Sequence, residues 1–226
     1  MSYDYAVLAG TQGQQNHRKK DRLFDVAEKL QLPVVFFAEG GGGRPGDTDG
    51  LGVSGLDCWA FHDFAKLSGL VPLIGVTGGF CFAGNAAIKG CCDVVIALEG
   101  SNIGMGGPAM IEGGGLGVFA PQEIGPLSVQ QVNGVVDLVA RDDAHAVELV
   151  KKYLAYFQGS TRDFTVHDQD QLRTAIPINR VKTYDVRNVI ELMFDVDSVL
   201  ELRSGFGLGM ITALARVQGK PVGVIA

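Results

Sequence analysis

The run Pro33-Val-Val-Phe-Phe-Ala38 leads directly into Glu39-Gly-Gly-Gly-Gly-Arg44, and this stretch decides the fold. A continuous apolar run of this length is typical of a strand that is buried on both faces of a parallel sheet. Glycine at a strand end lets backbone N–H groups approach a ligand, because no Cβ stands in the way. The stretch therefore predicts a buried strand and a functional loop, called here the first loop.

The same arrangement occurs a second time along the chain. The apolar run Val71-Pro-Leu-Ile-Gly-Val76 is followed by Gly78-Gly-Phe-Cys-Phe-Ala-Gly-Asn85, called here the second loop. Two glycine loops at the ends of neighbouring strands can hold one oxygen between two backbone donors, which is an oxyanion hole. The alternative, that the glycines only form tight turns, is weaker for two such loops than for one.

Predicted strands and helices alternate along much of the chain, which predicts an α/β fold with a parallel sheet and crossover helices. Besides the two runs above, strands are predicted at Asp4–Ala9, Asp93–Leu98, from Asn102, and at Ser198–Leu202, Gly209–Val217 and Pro221–Ala226. Helices are predicted at His17–Gln31, Asp57–Ser68, Ala83–Lys89, from Pro108, and at Asp143–Phe157 and Asp185–Met193.

Composition excludes several classes of function. The net charge is −6 and no basic stripe with interleaved aromatic residues is present, so nucleic acid is a poor candidate partner. No apolar run reaches the length of a membrane span, and we expect no membrane partner. The four cysteines form no Cys-x-x-Cys motif, so we predict no metal and a reduced, cytoplasmic protein.

The two loops carry a resemblance to a known family. Glu39–Arg44 resembles the Asp-Ser-Gly-Gly-Ala-Arg motif of biotin-dependent acyl-CoA carboxyltransferases, and Gly79–Ala86 resembles their Gly-Pro-Cys-Ala-Gly-Gly-Ala motif. Ala9–Gly13, with His17 and Lys20, is similar to the segment that opens the core of that family. Gly104–Ile111, together with Leu116–Pro121, is closer to the branch that includes long-chain and multidomain forms.

The resemblance implies a crotonase-like spiral fold, in which each subunit of the family has two homologous halves. By this reading, residues 1–158 are the first half, apparently without its N-terminal part, and residues 159–180 are a linker. Residues 181–226 resemble the start of the second half. We therefore expect the chain to be a fragment of a two-half carboxyltransferase.

The resemblance also implies an activity, namely transfer of a carboxyl group from carboxybiotin to the α-carbon of an acyl-CoA. The substrate is then an acyl-CoA, and biotin is carried on a partner protein or domain. The implied partners are biotin carboxylase, the biotin carboxyl carrier and further copies of the same subunit.

Matching motif positions give the candidate site residues. The candidate oxyanion donors, which would be catalytic, are Gly42, Gly43, Ala83 and Gly84; the candidate cofactor-binding residues are Gly41, Arg44, Gly106 and Gly107. Arg44 can pair with a carboxylate or a CoA phosphate, or it can brace its loop through Asp47 or Asp49.

The chain departs from the family motifs at four positions. Gly40 and Gly43 replace the usual Ser and Ala, and Ala83 and Asn85 replace Gly and Ala. A backbone donor tolerates these changes, although the additional glycines loosen the first loop.

Alternative functions stay open at this stage. An acyl-CoA decarboxylase of the same family runs the reaction in reverse, and an inactive CoA-binding fragment is the non-enzyme alternative. A crotonase-type hydratase or isomerase needs a carboxylate just beyond the second oxyanion donor. The stretch Ala83-Gly-Asn-Ala-Ala-Ile88 contains no carboxylate, which disfavours that reading.

Overall fold

The computed structural model describes residues 1–44, 46 and 58–226, which form two compact units, residues 1–150 and 151–226. Each unit is described by itself. The strands of the described residues are β1 (Val34–Phe37), β2 (Leu73–Thr77), β3 (Phe80–Phe82), β4 (Val94–Leu98), β5 (Asn102–Gly104), β6 (Leu138–Ala140), β7 (Leu200–Leu202), β8 (Thr212–Val217) and β9 (Lys220–Ile225).

A parallel sheet forms the centre of the first unit, with the strand order β1-β2-β4-β6. Every residue of β2 and β4 is buried, as expected for the continuous apolar runs of a parallel sheet with both faces covered. β3 and β5 form a separate parallel pair. The predicted α/β class and its parallel sheet are therefore confirmed.

Helices connect and cover these strands. They are α1 (Gln14–Leu30), α2 (Ala60–Lys66), α3 (Gly84–Gly90), α4 (Pro108–Gly113), α5 (Leu127–Val132), α6 (Asp143–Ala155), α7 (Leu172–Ala175) and α8 (Val186–Met193). The rings of Phe24 on α1 and Phe64 on α2 lie 5.0 Å apart and belong to one core cluster with Phe36 of β1. All three are at most 1% exposed, so these aromatic side chains fix both helices against the sheet.

The predicted helices are confirmed within a few residues at their ends. The helix expected over Asp57–Ser68 is α2, which begins at Ala60, while Asp57 lies outside the described residues. Pro108 occupies the first turn of α4 as expected, a position where its missing N–H costs no helical hydrogen bond.

One predicted strand is wrong. Asp4–Ala9 forms a turn that ends in the 3₁₀ turn Leu8–Gly10, and the Asp4 carboxylate accepts the N–H of Ala6 at 2.9 Å. The side chains of residues 4–9 are exposed, so this segment does not pack against the core as an apolar strand would. β3, β6 and α5 were not predicted, because they are short and depend on pairing or packing with distant segments.

The second unit contains the antiparallel sheet β7-β8-β9, as predicted in position for all three strands. Buried Asp195 accepts the backbone N–H groups of Gln218 (2.8 Å) and Gly219 (2.7 Å) in the β8–β9 turn. Part of the predicted linker is helical, since it contains a 3₁₀ turn at Gln169–Gln171 and α7.

Candidate active site

Backbone hydrogen bonds hold the first loop on two sides. The N–H of Gly40 donates to the carbonyl of Phe80 (2.8 Å), and the N–H of Phe82 donates to the carbonyl of Gly40 (2.9 Å). On the other side, the carbonyl of Gly42 accepts the N–H of Gln12 (2.7 Å). The first loop is therefore fixed between β3 and the segment that precedes α1.

The two loops meet at Gly42. A Cβ placed on Gly42 would lie 2.5 Å from the Cβ of Ala83 and 3.4 Å from the backbone nitrogen of Gly84. Gly42 also has φ +87°, a conformation that a side chain strains. Glycine is thus needed here for two reasons, and the structure brings the predicted residues of both loops into contact.

The fold already uses some of the candidate donors. The N–H of Ala83 donates to the carbonyl of Gly104 (3.0 Å), so the donor role in the second loop falls to Gly84. Within the described residues, the N–H groups of Gly42, Gly43 and Gly84 donate no hydrogen bond. Gly42 is buried, whereas Gly43 is exposed and Gly84 is half-buried. Gly43 and Gly84 therefore offer amides that a ligand can reach.

Ala83 forms a strained elbow between β3 and α3. Its backbone has φ 50° and ψ −124°, a region that residues with a side chain rarely adopt. The elbow turns the chain from strand to helix in one residue, which places the amide of Gly84 at the turn. The family motif has Gly at this position, so the strain belongs to the alanine of this chain.

We expect Ala83→Gly to stabilise the chain by about 1 kcal/mol. Relief of a strained backbone of about 1–3 kcal/mol exceeds the entropy that glycine adds to the unfolded state, about 0.5–1 kcal/mol. Denaturant unfolding measures the difference. The control is Ala87→Gly, inside α3, which should cost about 1 kcal/mol. Equal destabilisation by both changes would contradict the strain.

Arg44 braces the first loop from its C-terminal end. Its Nη2 donates to the carbonyl of Thr11 (3.1 Å), and its Nε donates to the Thr11 hydroxyl (3.3 Å). Asp47 and Asp49, its predicted partners, lie outside the described residues. The N–H of Gly41 donates to the carbonyl of Ala9 (3.1 Å), so this amide also serves the fold.

Gly106 and Gly107 lie between β5 and α4. The carbonyl of Gly107 accepts the N–H groups of Met110 (3.0 Å) and Ile111 (3.2 Å), which closes the first turn of α4. A Cβ on Gly107 would lie 3.6 Å from the ring of Phe82, so this glycine packs against β3. The structure thus places Gly107 next to the second loop, whereas Gly106 faces Met110 and Ile111 of α4.

A buried polar network that sequence reasoning missed connects α1 to both loops. Lys20 Nζ donates to Gln12 Oε1 (2.5 Å), Gln12 Nε2 donates to Asn85 Oδ1 (2.5 Å), and Asn85 Nδ2 donates to the carbonyl of Glu39 (3.1 Å). Lys20, Gln12 and Asn85 are 3%, 4% and 0% exposed. The one signal in the sequence was an amide side chain where the family motif has alanine.

Burial changes the acid–base behaviour of two lysines of this unit. Desolvation lowers the pKa of Lys20 to about 8, against an opposing influence of Cys58 and Asp21. Burial also lowers the pKa of Lys89 on α3, whose Nζ donates to the Thr77 hydroxyl (2.6 Å). The same burial raises the pKa of the neighbouring Cys81 thiol. Lys89 and Cys81 thus belong to the buried packing around the second loop.

Residues 1–44, 46 and 58–226 contain no group of three or more His, Cys, Asp or Glu side chains that could hold a metal ion. No helix in this part of the chain is long and apolar enough to cross a membrane.

An α/β domain with two glycine loops in contact and reachable amides is the arrangement of a crotonase-like domain. The model of the carboxyl transferase domain family matches residues 1–226, and the chain belongs to this family. The crotonase-like carboxyltransferase fold implied by the resemblance is confirmed by solved structures.

Three comparisons define the likeness. A single-chain, multi-domain long-chain acyl-CoA carboxylase is 60% identical with a TM-score of 0.95, covering 99% of this chain and 22% of that chain. The 12S subunit of methylmalonyl-CoA carboxyltransferase from Propionibacterium freudenreichii subsp. shermanii is 30% identical over 100% of this chain and 44% of its own length. A transcarboxylase 12S structure with methylmalonyl-CoA bound has a TM-score of 0.85 at 28% identity, covering 98% of this chain and 44% of that chain. The chain thus spans less than half of the length of each of these proteins.

Proposed function

We propose that this chain supplies the acyl-CoA site of a biotin-dependent acyl-CoA carboxylase, which moves a carboxyl group from carboxybiotin to the α-carbon of an acyl-CoA. The observation that carries the proposal is the contact between the two loops, where the amides of Gly43 and Gly84 are not used by the fold. A thioester oxygen between these loops would take both amides as donors.

The reaction needs an enolate at the thioester, and negative charge develops on the thioester oxygen as it forms. Preorganised amides at that oxygen stabilise the charge without reorganisation, and one such donor is typically worth about 10²–10³ in kcat. The amide of Gly84 is held by the elbow at Ala83, and the amide of Gly43 by the bonded backbone of Gly42 on one side and Arg44 on the other. The carboxyl group itself comes from the biotin of a partner.

A cationic cavity next to the first loop suits the phosphates of CoA. It has a volume of about 440 Å³, and Lys19, Lys20 and Arg44 are among its lining residues. Arg and Lys are the side chains that bind phosphate best, Arg through its planar fork. Gly41, Gly106 and Gly107 remain proposed contacts of the CoA chain.

The proposed partners are biotin carboxylase, the biotin carboxyl carrier and further copies of the subunit. Support for assembly with further copies comes from the transcarboxylase 12S structure, which is described as a hexamer assembly.

Four cysteines without a disulfide support the proposed cytoplasmic location. We also propose that residues 159–180 link a first domain (1–158) to a second (181–226); the division into two compact units supports two domains.

Calorimetry of the folded chain with acetyl-, propionyl- and long-chain acyl-CoA tests the proposal. We expect measurable heat with at least one of the three, since the loops and the cationic cavity lie within one compact unit. Coenzyme A without an acyl group is the control for binding through the nucleotide alone. No heat with any acyl-CoA, for protein shown to be folded by circular dichroism, would contradict the proposal.

A further inference from the structure

Asn85 is the one side chain that hydrogen-bonds both the backbone of the first loop and the segment before α1, as far as the described residues show. It lies in the first turn of α3 and is fully buried. Its Nδ2 donates to the carbonyl of Glu39 (3.1 Å), and its Oδ1 accepts from Gln12 Nε2 (2.5 Å). Both ends of the amide are therefore used.

Two groups leave no room for a side chain at residue 40, namely the backbone carbonyl of Gly10 and the amide of Asn85. A Cβ placed on Gly40 would lie 2.4 Å from Asn85 Nδ2 and 2.3 Å from the carbonyl oxygen of Gly10. The amide of Asn85 thus occupies space that a side chain at residue 40 would need. The family motif has Ser at residue 40 and Ala at residue 85, whereas in this chain the polar side chain is on α3 and the loop position is glycine.

Asn85 is also placed to act on the proposed donors. The next residue toward the N-terminus is Gly84, and the carbonyl that Asn85 binds lies in the first loop, four residues before Gly43. A buried hydrogen bond between two segments is strong because water cannot compete for either group. The three glycines at 40, 41 and 42 leave the loop little stiffness of its own.

We propose that Asn85 is a positioning residue that sets the distance between the amides of Gly43 and Gly84. The inference rests on the proposed oxyanion hole. Asn85 touches no reacting atom; it ties the first loop to α3 through Glu39 and is itself held by Gln12, which Lys20 binds in turn. Without this tie, the first loop keeps its backbone bonds to β3 and to Gln12 but loses its side-chain link to α3. We expect the two amides then to converge less closely on one oxygen.

Two ligands distinguish this positioning role of Asn85 from a purely structural role. Propionyl-CoA carries the thioester carbonyl, whereas S-propyl-CoA is the same molecule with a CH₂ group in its place. Two backbone hydrogen bonds of ordinary net strength should make the chain bind the thioester about tenfold more tightly than the thioether. A loss of overall stability lowers the affinity for both ligands alike, whereas a loss of loop positioning lowers the affinity for the thioester alone.

The experiment measures the ratio of the two dissociation constants for the wild-type chain, Asn85→Ala and the isosteric Asn85→Asp, which cannot donate to Glu39 when ionised. We expect the tenfold preference of the wild type to fall to about twofold or less in both variants, as two bonds are lost. Asn102→Ala is the matched control, because buried Asn102 also makes two bonds, to the carbonyls of Gln122 (2.9 Å) and Ile124 (3.0 Å). Asn102→Ala should keep the preference.

Each outcome decides between the two claims. A wild-type chain that binds acyl-CoA without preferring the thioester would contradict the proposed oxyanion hole, and this inference with it. A wild-type preference that survives in folded Asn85→Ala, or in folded Asn85→Asp at a pH at which the new carboxyl is ionised, would overturn the positioning role alone. Circular dichroism establishes that each variant is folded, and the Asp variant keeps the side-chain volume if the Ala variant leaves a cavity.

Discussion

Replacing Gly84 by proline should lower kcat about 10²–10³-fold in an assembly in which a second carboxyltransferase domain and the biotin components complete the chain. That is the usual loss when one oxyanion donor is removed. Proline lacks the N–H, and the amide of Gly84 donates no hydrogen bond within the described residues. KM for the acyl-CoA should change far less than kcat, because the charge on the thioester oxygen develops only as the enolate forms.

The helix itself should accept the change. Gly84 is the first residue of α3, a position at which proline is favoured because the N–H has no helical partner. A Cβ at Gly84 would lie 3.5 Å from Phe61 Cζ and 3.6 Å from Gln12 Nε2, which are ordinary contacts. Proline restricts the residue before it, however, and Ala83 has an unusual backbone conformation. The substitution is therefore made in an Ala83→Gly background.

The Ala83→Gly single variant is the control for this experiment. It keeps every amide and should have kcat within a few-fold of the wild type, so the difference between the two variants isolates the Gly84 amide. Turnover of the folded double variant equal to that of the single variant would show that this amide takes no part in the reaction.

Local sequence patterns were sufficient for β1, β2 and β4, three of the four strands of the parallel sheet, whereas β6 was missed. The run from Pro33 and the run from Val71 both form parallel strands, β1 and β2. Every residue of β2 is buried, whereas in β1 only Phe36 is buried and the others are half-buried. The strand predicted at Asp4–Ala9 has a similar composition, but the Asp4 carboxylate accepts a local N–H and the segment turns instead. An aspartate before an apolar run does not by itself prevent a strand, because β4 follows Asp93, whose carboxylate accepts the N–H of Leu73 (2.8 Å) on the neighbouring strand and not a local one.

The candidate site was only partly predictable, because its decisive bonds join distant segments. The sequence placed Ala83 and Gly84 together as donors, whereas the carbonyl of Gly104 occupies the amide of Ala83. That bond arises from the pairing of β3 with β5, which no local pattern specifies. The tie from Asn85 to Glu39 spans 46 residues and was missed for the same reason. Motif spacing can locate a loop, but it cannot tell which of its amides the fold has already used.

A methyl group on Gly42 should lower kcat/KM about 10²-fold in the same completed assembly. In Gly42→Ala the new Cβ would lie 2.5 Å from the Cβ of Ala83, far inside the contact distance of two methyl groups, and φ +87° strains any side chain. The loops must move apart to relieve the clash, and a displacement of about 1 Å at a catalytic group typically lowers the rate about 10²-fold. Steady-state kinetics with the preferred acyl-CoA measures the loss.

Gly43→Ala is the matched control one residue further along the loop. No described atom lies within 4 Å of a Cβ at Gly43, its φ is outside the left-handed region, and the family motif has Ala there. The amide stays in place, so kcat/KM should change less than about threefold, because no contact is lost and no strain is added. Both substitutions stiffen the backbone of the first loop equally, but only Gly42→Ala pushes the two loops apart. Comparing the two variants therefore distinguishes the effect of loop contact from the effect of loop flexibility. Equal losses in the two variants would mean that flexibility matters and that the approach of Gly42 to Ala83 does not.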